Sequence, residues 1–281
     1  MIARTQNWSF RTWWMILRIC LEERLVYRGD FALGTLMRFL PIITQIFLWT
    51  AVFAAISQKE IAGYTRDNMI AYYLLTMLGR AFSSMPGLAS GTARQIRDGE
   101  IKKFLIQPID MIGFLLMSRV AHKLAYYSVA IIPFALVFFL CRGYFGGWPD
   151  PLWPTLAAFV ASLIMGFLIG FFLEAAIGMI GFWWLEVSSL LFVYMLFNFF
   201  LSGHMFPIDM LKEVPGPWYT LVQILPLKYL AYFPAAIFLE KIQGWDLVEG
   251  LVIQFIWVLV MIEVCRAMFH FGVKHYSGFG G

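Results

Sequence analysis

Six apolar stretches divide this chain: 31–56, 68–88, 111–140, 155–173, 187–201 and 247–271. All but 187–201 meet the length of about 17–25 residues that a helix needs to cross hydrocarbon. Lipid offers no partner to a backbone N–H or C=O, so each stretch has to satisfy its own groups as a helix. Composition agrees. The chain is 61% hydrophobic and 14% charged, with a mean hydropathy of +0.75. Soluble domains hold about 45–50% apolar and about 25% charged residues. The expected fold is therefore an all-α integral membrane protein with six transmembrane helices in a single transmembrane domain, 1–281. The 11 Trp and 12 Tyr suit the belts at its two interfaces.

Between the second and third stretches lies the long interruption that carries both charge signs. Ala93–Asp110 holds Arg94, Arg97, Lys102 and Lys103 against Asp98, Glu100 and Asp110, with Ile96, Ile101, Phe104 and Leu105 among them. Such a segment is excluded from lipid, so 91–110 is expected to be a solvated loop or a docking element for a soluble partner. Apolar knobs ringed by charge suit docking, which nominates Arg97, Gly99, Glu100, Ile101, Lys103, Phe104 and Leu105.

Ahead of the spans, 8–28 is expected to be a helix lying on the membrane. Arg11, Arg18 and Glu22 share one face, while Trp13, Trp14, Ile16, Leu17, Cys20 and Leu21 fill most of the rest. Its arginines would be costly in hydrocarbon. Neither an apolar core nor a cleavage site for a leader peptide is evident there. Arg38 and Pro41 fall in the first span, and 59–66 is a short polar loop. Arg80, well inside the second span, is either a structural ion pair or a pathway residue. Arg119 and Lys123 suggest that the third helix starts in water. Ala158, Ser162, Gly166 and Gly170 form a small-residue stripe at steps of four, for close approach within the chain or against another. A glycine-bearing connector, 174–186, is bracketed by Glu174 and Glu186. Glu263 and Arg266, at i and i+3, are placed to pair near the end of the last span. The stretch 202–246 has five prolines among many aromatics. It is too apolar for an open loop and too broken for a span, so re-entrant helices are expected.

Thirteen Lys and Arg fall outside the spans on the side of the N-terminus and 91–110, and six on the other. That bias puts both termini and 91–110 in the cytoplasm and 202–246 outside. The basic residues sort by membrane side, which removes the case for a nucleic-acid partner; lipids are the expected surroundings.

The chain has no GxxxxGK[ST] loop to cradle a nucleotide and no HExxH. His122, His204, His270 and His275 are scattered, and the cysteines match no metal spacing, so no metal, cofactor or catalytic residue is expected. Ser202 with His204 would suggest a hydrolase, but side chains so near in sequence rarely point together. Spans without an engine suggest a subunit driven from outside.

Three stretches carry a family resemblance. Ile96–Pro108 (IRDGEIKKFLIQP) resembles an I-x-x-G-x-[ILF]-x-x-x-L-x-x-P segment. Ser202–Ile208 (SGHMFPI) resembles an SG-x-x-x-P-[IL] turn, with Ser202, Gly203 and Pro207 in place. Tyr276–Gly281 (YSGFGG) resembles a [RH]-Y-x-[SG]-x-G ending. In this order they resemble the ABC-2 permease superfamily, closest to its daunorubicin-resistance-like six-span branch. The resemblance implies a permease subunit of an ABC exporter in the plasma or inner membrane. It pairs with a second permease, as homo- or heterodimer, and moves substrate outward. Two separate ATPase subunits, which hold the ATP and Mg, would dock on 93–108. The 8–28 helix would lean on the same assembly. Two other classes remain beside it: a carrier driven by an ion gradient through Arg80, Glu174 or Glu263, and a membrane enzyme or scaffold without transport.

Overall fold

A computed structural model describes residues 10–25, 28–56, 59–107, 109–184 and 186–276. Pro108, the tail 277–281 and the side chain of Arg38, all invoked above, lie outside what is described. The chain begins with α1 (Phe10–Leu25) and α2 (Arg28–Ala55). Then come a two-stranded hairpin, β1 (Glu60–Ile61) with β2 (Tyr64–Thr65), and α3 (Arg66–Ser83), α4 (Leu88–Arg97) and α5 (Lys102–Ile106). Two long helices follow, α6 (Met111–Leu140) and α7 (Leu152–Met179), the second prolonged by a tight turn to Phe182. After α8 (Ser188–Leu201), short pieces alternate: a 3-10 turn at Ile208–Glu213, α9 (Trp218–Ile224), a second at Pro226–Leu230, and α10 (Tyr232–Phe238). The last helix is α11 (Gly244–His275).

Six of these helices, α2, α3, α6, α7, α8 and α11, occupy the six apolar stretches, giving a helical membrane fold. Their lengths differ. The apolar helices 111–140, 152–182 and 244–275 run 30, 31 and 32 residues. At about 1.5 Å per residue each is half as long again as the ~30 Å of hydrocarbon. Helix α8, by contrast, has only 14 residues and buries none of them completely.

Around α7 the bundle is assembled backbone to backbone. A Cβ on Gly166 would sit 2.9 Å from the Tyr229 carbonyl oxygen, and one on Gly170 2.4 Å from that of Ser83. The small-residue stripe therefore serves contacts within the chain, seating α3 and the 226–230 turn. Helix α1 rests on the start of α6, with the Trp13 ring over Gly113, where a Cβ would come within 2.3 Å of it. Phe10, Trp14, Met15 and Ile19 stay exposed, flanking Arg18, which pairs with Glu22 at 2.9 Å.

Three boundaries differ from expectation. The polar loop 59–66 folds back as a hairpin, turned at Ala62 and Gly63, both with positive φ (49° and 78°). The second span stops at Ser83, where the 84–87 break carries Pro86 and a left-handed Gly87. The fourth does not stop at 173: α7 runs on through Glu174 and Gly178, the turn that prolongs it carries Gly181, and the connector shrinks to a few residues before α8. Glycine marks close approach there. A Cβ on Gly178 would lie 2.7 Å from the Ala89 carbonyl oxygen, and one on Gly181 3.0 Å from the Ala93 Cα.

Candidate functional site

Helix α4 is the inner arm of the segment singled out by its charges. Leu88, Ala89, Thr92, Ala93 and Ile96 are buried along one face, against α7, while Arg94 and Arg97 point away from it. The arm ends because Gly99 adopts a φ of +76°, which glycine takes without the clash a Cβ brings. Asp98 N and Gly99 N close the last turn on the Arg94 and Ile96 carbonyls. After this bend, α5 turns away, and Asp110 starts α6 by accepting a hydrogen bond from Gly113 N at 3.1 Å.

The nominated residues divide in two. Ile101 is fully buried and Phe104 nearly so, its ring 5.5 Å from that of Phe114. Both were expected to face a partner and instead anchor the bend in the chain's own core. The break at Gly99 restarts the helical phase, so the outward apolar residues are Leu105 and Ile106, 41% and 83% exposed. Arg97, Glu100 and Lys103 are exposed, as are Arg94, Asp98 and Lys102. Arg97 donates to Asp98 at 3.3 Å and reaches Glu186 at 3.8 Å, tying the elbow to the start of α8. Hydrogen bonds from Arg97, then Arg94, hold the Asp98 carboxyl below its ordinary range. The Glu186 carboxyl is lowered chiefly by Ser188, whose hydroxyl and backbone N–H both donate to it.

The expected pathway residues do not gather into one site. Arg80 stands in the last turn of α3 and is exposed; its charge bears on His204. Glu174 was placed at a connector. It lies within α7 and accepts from Met85 N at 3.4 Å, because the helix continues past it. Arg266 reaches Asp110 at 3.9 Å rather than Glu263. This contact joins the start of α6 to α11, and no feature of local spacing reports it.

On the opposite side, Ser202, Gly203 and Pro207 form the turn after α8. Contrary to expectation, Ser202 Oγ and His204 Nδ1 do meet. Ser202 is fully buried and its hydroxyl also contacts the Asn198 carbonyl oxygen, so it closes the end of α8. Gly203 has a φ of +83° and accepts from Tyr72 Oη at 2.5 Å; a Cβ there would sit 2.6 Å from that of Tyr232. Sequence reasoning missed the knot beside this turn. Asp209 accepts from Tyr64 at 3.0 Å, from Tyr232 at 2.7 Å and from Lys212 at 2.9 Å. Hydrogen bonding to Asp209 raises the Lys212 pKa, and burial, before the nearby carboxylate, raises that of Tyr64. Lys241 adds a bond to the Gly63 carbonyl at 2.7 Å. The knot thus draws the hairpin, the 208–213 turn and α10 together. Among the described residues, no three His, Cys, Asp or Glu side chains gather as a metal site.

A family model described as ABC-2 family transporter protein matches residues 39–280. The match takes in the elbow, the turn after α8 and the knot. No curated protein matches the chain.

Proposed function

We propose, for a chain that belongs to the ABC-2 transporter family, that it is the permease subunit of an exporter whose separate ATPase subunits dock on the α4–α5 elbow. The carrying observation is the elbow's two-sidedness. Its inner face is fixed in the bundle through Ile96, Ile101 and Phe104, while Leu105 and Ile106 stand out among Lys102, Lys103 and Glu100. An exposed apolar tip inside a charged rim is the anatomy of a docking surface. ATP and Mg belong to the ATPase, whose bound and free states have to hold the tip differently to do work on the permease. With the elbow cytoplasmic, both termini lie on that side of a plasma or inner membrane and the Asp209 knot faces outward. A second permease, identical or not, completes the unit. Helix α8, which leaves Phe192, Met195 and Phe197 exposed, offers it one apolar face. The daunorubicin-resistance-like branch is retained as the finer assignment, on the three motifs.

The test is purification in mild detergent from the native host. An ATPase is expected to accompany the wild-type chain and to be lost with Leu105→Asp/Ile106→Asp, while thermal stability stays within about 0.5 kcal/mol, as for exposed sites. Retention of the ATPase by this double variant, or none with the wild type, overturns the assignment.

A further inference from the structure

The 84–87 break, Ser84-Met85-Pro86-Gly87, is where the elbow's arm α4 joins the span α3. By itself it is a hinge. Pro86 removes a helical hydrogen bond, Gly87 is left-handed at +72°, and nothing lies within 4 Å of where its Cβ would be. A push on α4 would be absorbed there before it reached α3.

Two neighbouring helices hold this break. From α6, Lys123 is almost wholly buried and its Nζ donates to the Ala81 carbonyl at 2.5 Å and the Ser84 carbonyl at 2.7 Å. Arg119, one turn earlier, donates to the Pro86 carbonyl at 2.9 Å. From α7, Glu174 accepts from Met85 N at 3.4 Å. Cations thus take carbonyls that the end of α3 leaves over, where the helix dipole favours them, and a carboxylate takes an orphan N–H. Charge-assisted hydrogen bonds of this kind are the stronger ones. Gly170 against Ser83 and Gly178 against Ala89 press α7 on the chain at either side of the break, leaving no slack.

We propose that Lys123, supported by Arg119 and Glu174, is a positioning residue that locks the Pro86–Gly87 break, so that α3 and α4 move as one lever with the ends of α6 and α7. This rests on the docking reading above. It adds that force arriving at the elbow reaches the outer end of α3 only while the collar is closed. A coupling route of this kind is established by breaking it, since adjacency alone does not show coupling.

The experiment uses the permease with its co-purified ATPase in lipid nanodiscs, with Cys20, Cys141 and Cys265 replaced by alanine. A single reporter cysteine stands at Ser90→Cys on α4 or Arg66→Cys at the outer end of α3. Maleimide labelling is followed with and without ATP and vanadate. In the wild type both positions are expected to respond to nucleotide. In Lys123→Met the response at 90 persists, while that at 66 falls by about fivefold or more, the loss expected when a coupling of about 1 kcal/mol is removed. Lys123→Arg is expected to restore part of it. Glu174→Gln keeps an acceptor for Met85 N and retains the response, whereas Glu174→Leu loses it. These last two variants decide the matter should Lys123→Met fail to fold. An unchanged response at 66 in Lys123→Met, or in Glu174→Leu where that is the variant in hand, overturns the lever while leaving docking intact. Absence of any ATPase with the wild type overturns the docking reading, and the lever with it.

Discussion

The α4–α5 elbow and the Asp209 knot are built from opposite solutions to one problem, the placing of polar groups beside an apolar bundle. At the knot, one carboxylate collects three donors, and Tyr64 and Tyr232 are buried around it. Its groups are satisfied within the chain. At the elbow the charges pair with one another only at the exposed surface, two apolar side chains stand among them, and the backbone behind is held by the buried Lys123. The knot is closed on itself, whereas the elbow leaves Leu105 and Ile106 exposed. What the two share is the reliance on α7, whose glycines seat α3, α4 and the 226–230 turn.

The hardest test of that contrast is to remove the seat beneath the elbow. Gly178→Ala puts a Cβ 2.7 Å from the Ala89 carbonyl oxygen and 2.8 Å from the Thr92 Cβ. Backbone cannot give way cheaply, so overpacking is expected to cost about 1–3 kcal/mol. Gly91→Ala, on the arm itself, meets nothing within 4 Å. It is expected to stabilise by about 0.5–1 kcal/mol through helix propensity. Thermal unfolding in detergent compares the pair; equal effects would mean that α4 does not lie on α7 as described.

Loss of the knot comes next. Asp209→Ala strips the buried Tyr64 and Tyr232 hydroxyls of their acceptor, which is expected to cost about 1–3 kcal/mol. Asp209→Asn keeps an oxygen for them and is expected to lose less. The variant is expected to expose the hairpin to protease while the ATPase still co-purifies. Joint loss of cap and ATPase would erase the distinction between the closed region and the open one.

How far these regions were legible in the sequence follows from the range of the contacts that make them. Hydropathy alone marks six helices, because an apolar run is a property of a segment. The positive φ at Gly99 was hinted by a lone glycine among charges, and the bend by the charges around it. The phase across the bend was not legible: Ile101 and Phe104 look outward when the wheel is carried through Gly99 and turn inward once it restarts. Glu174 was misplaced because Gly178 and Gly181 look like breakers until a neighbouring backbone is seen against them. The knot left no local trace at all, since Tyr64 and Asp209 are 145 residues apart. Lys123 was noted only as a charge near a helix end, its carbonyl partners being 39 and 42 residues away.

The smallest expected effect concerns the ion pair that fastens the open region. Arg97 and Glu186 are 3.8 Å apart, with side chains 45% and 67% exposed, so water screens the pair and it contributes little. Arg97→Gln is expected to leave stability nearly unchanged. Acidity gives the sharper version. Asp98 and Glu186 both have carboxyls lowered in the folded chain, by Arg97 and Ser188 respectively. A carboxylate so lowered contributes stability above its unfolded pKa of about 4, and that contribution fades only as pH falls through the folded value. Co-purification is therefore expected to be flat from about pH 8 to about pH 5.5 and to weaken only in stronger acid. A fall near pH 6.5 instead, in the range where histidine titrates, would move the fastening contact off these carboxylates and onto a histidine, in the chain or in the ATPase it receives.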